Sequence, residues 1–324
     1  MILCSLALIF VLGLRSRYVG SMDTYLYSLA FDGAKQDTLY QYLMRNDVFD
    51  RFLVFSEPLF HLYTWVSAQI FADAQWFLLL TTAVIVCCTA SFISQNSEDP
   101  AVSWIVFICL GSMTFAMNGM RQALAMSICL LSYRYAKEKK LLRFLLFVLL
   151  AVLIHKSAII FALVYLLRRM RLNWKSLTLL GAIVAALLLF ANYFAAFYDE
   201  MMSEDYALRE SFESGGLIVM LIYGIAILGV FLFSKRLKDP QCFLPLSLTA
   251  IGFSFYLARF LSTQIYERIS YYFVYFLMLL FPLMFADMKK EIRIPVRVCF
   301  MLACVALFIY RLGKGVFADF AMFW

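Results

Sequence analysis

"FLLFVLLAVLIHKSAIIFALVYLL", residues 144 to 167, is a run of 24 residues that reads as a membrane span apart from His155 and Lys156 at its middle. Polar side chains at the bilayer centre are costly unless paired or hydrated. Basic clusters flank the run, "KEKK" at 137–140 and "RRMRLNWK" at 168–175. A single straight span would put these clusters on opposite faces. It would also leave the later clusters, "KRLKD" at 235–239 and "DMKKEIRIPVR" at 287–297, outside. A hairpin removes the conflict. Residues 141–154 rise from the cytoplasmic face, the chain turns near His155-Lys156-Ser157, and 158–167 return. At about 1.5 Å per residue each arm is only about 15 to 20 Å long. Arms that short predict a broken or re-entrant pair, tolerated at membrane depth only where protein or a wet cavity satisfies the turn's backbone.

With this hairpin, the four clusters and Arg143 place 15 basic and 4 acidic residues on one face. The loops at 118–122, 155–156, 198–214 and 259–268 hold 5 basic and 7 acidic residues on the other. Lys and Arg set orientation, so the first face is cytoplasmic. By parity, 101–117 and 120–135 flank an outer turn "NGMRQ". Residues 176–197 climb to an outer loop at 198–214, 215–234 descend, 241–258 ascend, 269–286 descend and 298–312 ascend. Two features fit poorly: "NSEDP" at 96–100 would be cytoplasmic without a Lys or Arg, and Arg311 and Lys314 would be outside.

Composition agrees with this reading. The 324 residues are 64% hydrophobic, 18% aromatic and 15% charged, with a mean hydropathy of +0.84. Soluble domains do not reach such values. The expected fold is an all-α, polytopic transmembrane helix bundle of about 10–11 membrane segments, with 1–324 as one integral membrane domain. Ile2 to Leu14 is followed by "RSRYVG" and no small-residue cleavage site, so it is read as a retained first helix. Residues 15–57 interleave apolar and charged positions, as outer amphipathic helices do; Glu57 to Ala72 is then expected in the interface or re-entrant. The net charge of +7 belongs to the cytoplasmic loops and implies no nucleic acid. Eight Cys without a CxxC pair, and only His61 and His155, suggest neither a metal site nor a disulfide framework.

Several polar residues need an explanation. Arg121 and Gln122 open a helix after a short outer turn, where the helix dipole disfavours a cation unless it faces an anion; the alternative is an Arg snorkelling to the headgroups. Arg259 and Arg268 bracket "FLSTQIYE", with Tyr271 and Tyr272 following. Arg forks suit phosphate and tyrosine rings suit sugar faces, although interfacial belts carry the same residues. His155 can take a proton near neutral pH or cap a helix, and Lys156 reads as a snorkelling amine. Glu57-Pro58 reads as a favourable helix start, Asp23 as a turn or cap, and His61 as structural. The outer face thus gathers Arg121, Arg268, Arg259 and Arg17 with His155, Asp23 and Glu57: cations, a base and carboxylates for handling a lipid-linked phosphate.

Four segments resemble the EpsG family of bacterial membrane proteins, related in architecture to the Wzy polymerases of O-antigen and capsule synthesis. They are "RYVGSMDTYLY", "SEPLFHLYTW", the long stretch from "NGMRQALAMS" to "IHKSAIIFALVYLL", and "ERISYYFVYF". The third is the most telling, joining Arg121-Gln122 at a helix start, a basic turn, and His155-x-Ser157-Ala158 at the tip of the next run. One departure is Leu59, where the family often has Gly after Glu-Pro. The resemblance implies a polysaccharide polymerase in the bacterial cytoplasmic (inner) membrane. It would transfer a glycan chain from undecaprenyl diphosphate onto the next lipid-linked repeat unit at the outer face, without cofactor, metal or nucleotide sugar. Arg121, Arg268, Arg259, Arg17, Gln122, Tyr271 and Tyr272 would then bind substrate or its diphosphate, and His155, Glu57 or Asp23 would accept the hydroxyl proton. Implied partners are undecaprenyl-diphosphate-linked oligosaccharide, membrane lipid, a chain-length regulator and a flippase. The competing classes are a flippase or exporter of lipid-linked oligosaccharide, a membrane O-acyltransferase, and a structural subunit of an export complex.

Overall fold

A computed structural model of the chain describes residues 1–19, 22–49, 56–190, 193, 216–259, 265–312 and 320–322. The outer loop expected at 198–214, much of "FLSTQIYE" and Lys314 lie outside these residues. Among the described residues there are sixteen α-helices and no strand; the one isolated bridge joins Arg15 and Met322. In chain order the helices are α1 (Ile2–Gly13), α2 (Met22–Ala34), α3 (Leu39–Arg45), α4 (Pro58–Ile70), α5 (Ala74–Asn96), α6 (Pro100–Cys109), α7 (Ser112–Asn118), α8 (Met120–Lys137) and α9 (Leu141–Ile154). A 3₁₀ segment (Lys156–Ala162) follows, then α10 (Leu163–Leu167), α11 (Trp174–Leu189), α12 (Gly216–Phe233), α13 (Pro240–Ala258), α14 (Ile265–Val274), α15 (Leu277–Asp287) and α16 (Lys290–Leu312). They fall into two compact units, one of Met1–Gln95, Met113–Ala162 and Ala306–Trp324, the other of Asn96–Ser112 and Leu163–Val305.

Three helices, α5, α13 and α16, are each long and apolar enough to cross a membrane. The pairs α6 with α7 and α14 with α15 reach that length together, which raises the number to five. Shorter apolar helices include Ile2–Gly13, Leu141–Ile154, Lys156–Leu167, Trp174–Leu189 and Met220–Phe233. At 23 residues α5 and α16 run about 35 Å, more than the roughly 30 Å of hydrocarbon.

In the first unit the run that opened the reading is indeed broken. Helix α9 ends where His155 turns extended, at φ −151° and ψ 113°, and the chain continues as 3₁₀. The rings of Phe144 and Phe161 stack with centroids 6.4 Å apart. Seventeen residues of straight helix would separate them by about 25 Å, so the chain has doubled back. Phe144, Val148, Ala151 and Val152 form the buried stripe of α9, whereas Leu142, Leu146, Leu149 and Leu150 are exposed, an outward face that suits lipid. The "KEKK" turn before it is a Schellman motif. Lys140 N–H donates to the Tyr135 carbonyl at 2.9 Å and Lys139 N–H to that of Ala136 at 3.1 Å, with Lys139 at φ 61° where glycine is usual. Close approach of α1 to α5 requires Gly13, since a Cβ there would lie 2.5 Å from Leu79 Cδ1. Gln75 fastens the same junction, donating to the carbonyls of Gly13 (2.6 Å) and Arg15 (3.0 Å).

The second unit explains the acidic loop that fitted poorly. Glu98 accepts two hydrogen bonds from Arg236, at 2.6 and 3.0 Å, and Arg236 Nε donates to Asp287 at 2.7 Å. Asp99 accepts from Arg297 Nη2 at 3.1 Å, and its Oδ1 also caps α6 at Val102 N–H. The "NSEDP" segment needs no Lys or Arg of its own because the basic clusters at 235–239 and 287–297 supply them. Elsewhere in this unit Ser103 donates to the Met278 carbonyl at 2.6 Å. The α14–α15 pair bends by 43°.

Candidate functional site

Glu57 stands at the N-cap of α4 with Pro58 at the first helical position, as the sequence leads one to expect. A carboxylate there normally caps its own helix. This one does not: it makes no capping bond, and the residue is held at φ 55° and ψ 47°, a left-handed conformation unfavourable for a side chain with a Cβ. The carboxylate instead crosses to two other elements. Oε2 lies 2.7 Å from Arg121 Nη1, in the first turn of α8, and Oε1 lies 2.6 Å from His155 Nδ1. The backbone N–H of Lys156 donates to Oε1 at 3.1 Å. Backbone strain of this kind persists where surrounding contacts over-determine it, and sites of function are where it gathers.

The cluster is buried. Side-chain exposure is 4% for Glu57, 4% for His155 and 16% for Arg121. Arg121 also lies over the Phe60 ring at 5.6 Å. The cation that the α8 dipole disfavours is thus matched by a carboxylate and an aromatic face. Burial pushes the Glu57 carboxyl up. Arg121, then His155 and the two hydrogen bonds outweigh it, so the group is held well below the ordinary carboxylate range. Glu57 is therefore ionised and engaged by three donors. His155 uses Nδ1 for this contact, and among the described residues its Nε2 has no hydrogen-bond partner.

Two neighbours were not picked out as site residues from the sequence. Lys156, read as a snorkelling amine, is 2% exposed; the hairpin tip is inside protein, so the amine has no headgroup layer to reach. His61, read as structural, lies one turn along α4 from Glu57. Burial, then Arg121, lowers its imidazole to about 4, so it is neutral at cellular pH. Its Nδ1 is buried without a partner among the described residues, and its ring sits edge-on to Tyr42 at 6.0 Å. No sequence signal separates it from an ordinary core histidine.

Arg15 was also passed over. It is 1% exposed and donates to the carbonyls of Leu12 and Met117, the latter at 3.0 Å. Those carbonyls end α1 and α7, so two helix C-termini hold this cation. Thr24 donates to the same Met117 carbonyl at 2.9 Å, four residues before Arg121.

The remaining candidates are dispersed. Asp23 is buried in the first turn of α2, and Gln122 is buried beside Arg121 in α8. Arg17 forms an exposed pair with Asp32 at 3.4 Å. In the second unit Arg259 pairs with Glu267 at 2.7 Å and lies over Tyr256. Arg268 and Tyr271 are half-buried there and Tyr272 is fully buried. Glu267 had not been singled out, because beside Arg268 in "ERISYYF" it looks like an ordinary helix-start acid. Among the described residues no three His, Cys, Asp or Glu side chains gather as a cation site.

These features define a polytopic helical membrane protein with a built, buried ionic site. The family follows from comparison. The chain belongs to the EpsG family, whose model matches residues 1–318, well beyond the four segments that carry the resemblance. No curated protein and no solved structure matches the chain.

Proposed function

We propose that this protein is a polysaccharide polymerase. It transfers a growing glycan from its lipid diphosphate to a lipid-linked repeat unit at the outer face of the bacterial cytoplasmic membrane, serving exopolysaccharide or capsule synthesis. The carrier of that reading is the Glu57–His155 contact at 2.6 Å with Arg121 on the same carboxylate. A carboxylate on Nδ1 fixes the imidazole tautomer and leaves Nε2 as the acceptor, the arrangement that general-base catalysis requires. Of the three proton acceptors considered from the sequence, Glu57 is the orienting group, His155 the base, and Asp23 receives no role.

The step balances as follows. The acceptor hydroxyl gives its proton to Nε2 of His155 while its oxygen bonds the donor's anomeric carbon. The bond from that carbon to the diphosphate oxygen breaks, and the electron pair leaves with the lipid diphosphate. Arg121 has five N–H donors, more than Glu57 takes, and meets the charge that develops on the leaving group. Gln122, next in α8, orients one substrate. The substrate is undecaprenyl-diphosphate-linked oligosaccharide delivered by a flippase, with a chain-length regulator as a partner.

The test is to place the purified protein in liposomes with lipid-linked repeat units. A ladder of products is expected, and His155→Gln and Arg121→Ala should each slow it by on the order of a hundredfold or more at normal expression. Movement of substrate across the bilayer without lengthening would make the protein a flippase, and normal chain length in Arg121→Ala would remove the role of that residue.

A further inference from the structure

The second unit holds a buried ion pair of different character. Arg259, the C-cap of α13, places Nη1 2.7 Å from Glu267 Oε2 in the first turn of α14, with side-chain exposures of 17% and 4%. The same Nη1 donates to the Tyr256 hydroxyl at 3.3 Å. Tyr256 packs on Tyr223 with centroids 5.9 Å apart, and Tyr223 stacks on Phe253 at 5.5 Å. Tyr223 thus joins Tyr256 and Phe253 in one aromatic group. It is fully buried and makes no hydrogen bond of ordinary geometry among the described residues. Ser270 donates to the Glu267 carbonyl at 2.6 Å.

We propose that Arg259 and Glu267, with Tyr256 on the same guanidinium and Tyr223 packed on Tyr256, form a saccharide-binding subsite that reads sugar hydroxyls and not phosphate. It rests on the lipid-linked glycan reading above. A phosphate brought to Arg259 would meet the Glu267 carboxylate as well, and the two anions repel. Side by side, a guanidinium donor and a carboxylate acceptor match neighbouring hydroxyls: the Arg N–H donates to one sugar oxygen and the carboxylate accepts from the O–H of the next. Arg268, one residue on, projects about 100° away around the helix and does not share the Glu267 face. At Glu57 the carboxylate is instead engaged by Arg121 and the imidazole of His155 together.

The experiment uses the full-length protein in lipid nanodiscs and two probes. One is the oligosaccharide released by mild acid from the cell's own lipid-linked pool, and the other is farnesyl diphosphate. In calorimetry Glu267→Gln should weaken saccharide binding at least about tenfold, the loss of one charged hydrogen bond, and leave farnesyl diphosphate within about twofold. Unchanged saccharide binding, or a loss confined to the diphosphate probe, overturns the proposal. The reversed pair Arg259→Glu with Glu267→Arg guards against misfolding. It should restore the thermal midpoint while saccharide binding stays weak, and recovery of binding would make the pair structural only. Wild-type protein that binds the saccharide but builds no ladder supports this subsite and sinks the polymerase reading. A wild-type ladder with saccharide binding unchanged in Glu267→Gln sinks the subsite alone.

Discussion

The two units each contain a three-membered polar cluster, and in each one charged group is shared between two partners. In the first, one carboxylate, Glu57, takes Arg121 and His155 at 2.7 and 2.6 Å. In the second, one guanidinium, Arg236, takes Glu98 and Asp287 at 2.6 and 2.7 Å. The distances are the same and the surroundings are not. Arg236 and Glu98 are each 41% exposed and Asp287 10%, against 4% for Glu57 and His155 and 16% for Arg121. An exposed pair exchanges water for a partner at little gain, whereas a buried pair broken on one side strands a charge. Geometry alone therefore does not rank interactions. The exposed cluster ties loops together, and the buried one has an imidazole beside the ion pair and the strained backbone expected of a site.

The sharpest way to break this comparison is Glu57→Ala, which strands buried Arg121 and His155. It should cost about 3 to 5 kcal/mol, read as a fall in the thermal midpoint in lipid, and abolish the product ladder. A drop no larger than that of Arg236→Ala would show that burial is not what separates the two clusters.

Acid should act next, on the first cluster's neighbourhood. His61 binds fewer protons folded than unfolded between its ordinary value of 6.5 and about 4. Its contribution is complete above about pH 6.5 and is lost as pH falls toward 4, by about 3 kcal/mol. Glu57, whose folded value is depressed, adds stability that is complete above its ordinary value of 4.5 and declines below it. A pH series of thermal midpoints should therefore fall from about 6.5 downward, and His61→Gln should delay the onset to about 4.5. An unaltered profile in that variant would mean that His61 is not held neutral.

Smaller effects complete the ranking. Lys139→Gly relieves a left-handed residue and should stabilise by about 1 kcal/mol, seen as a raised midpoint. Arg236→Ala should cost about 1 kcal/mol or less, and Arg17→Ala, whose partner Asp32 is 47% exposed, within about 0.5 kcal/mol. Both should leave the ladder intact. A larger loss in Arg236→Ala would mean that the loop cluster is stronger than its exposure implies.

Much of this was legible along the chain. The break at His155 followed from counting Lys and Arg on either side. The helix starts at Arg121 and Glu57-Pro58 followed from polar residues opening apolar runs. Other features were not legible because they depend on long-range approach. Glu57 was expected to serve its own helix, yet its carboxylate reaches a histidine 98 residues away. The acidic loop at 96–100 looked misplaced until Arg236 and Arg297 were found beside it. His61 and Arg15 carry no local mark of their surroundings.

The sequence by itself determined the all-helical class and the break at His155, since apolar runs, polar interruptions and basic turns act within a few residues; the runs read as 101–117 and 269–286 are each split by a bend of 51° or 43° that no such local signal marks. Tertiary structure decided the task of each charge. Whether a carboxylate caps a helix, orients a base or ties a loop depends on which cation burial brings within hydrogen-bonding distance, and that distance is not written in the spacing of residues along the chain.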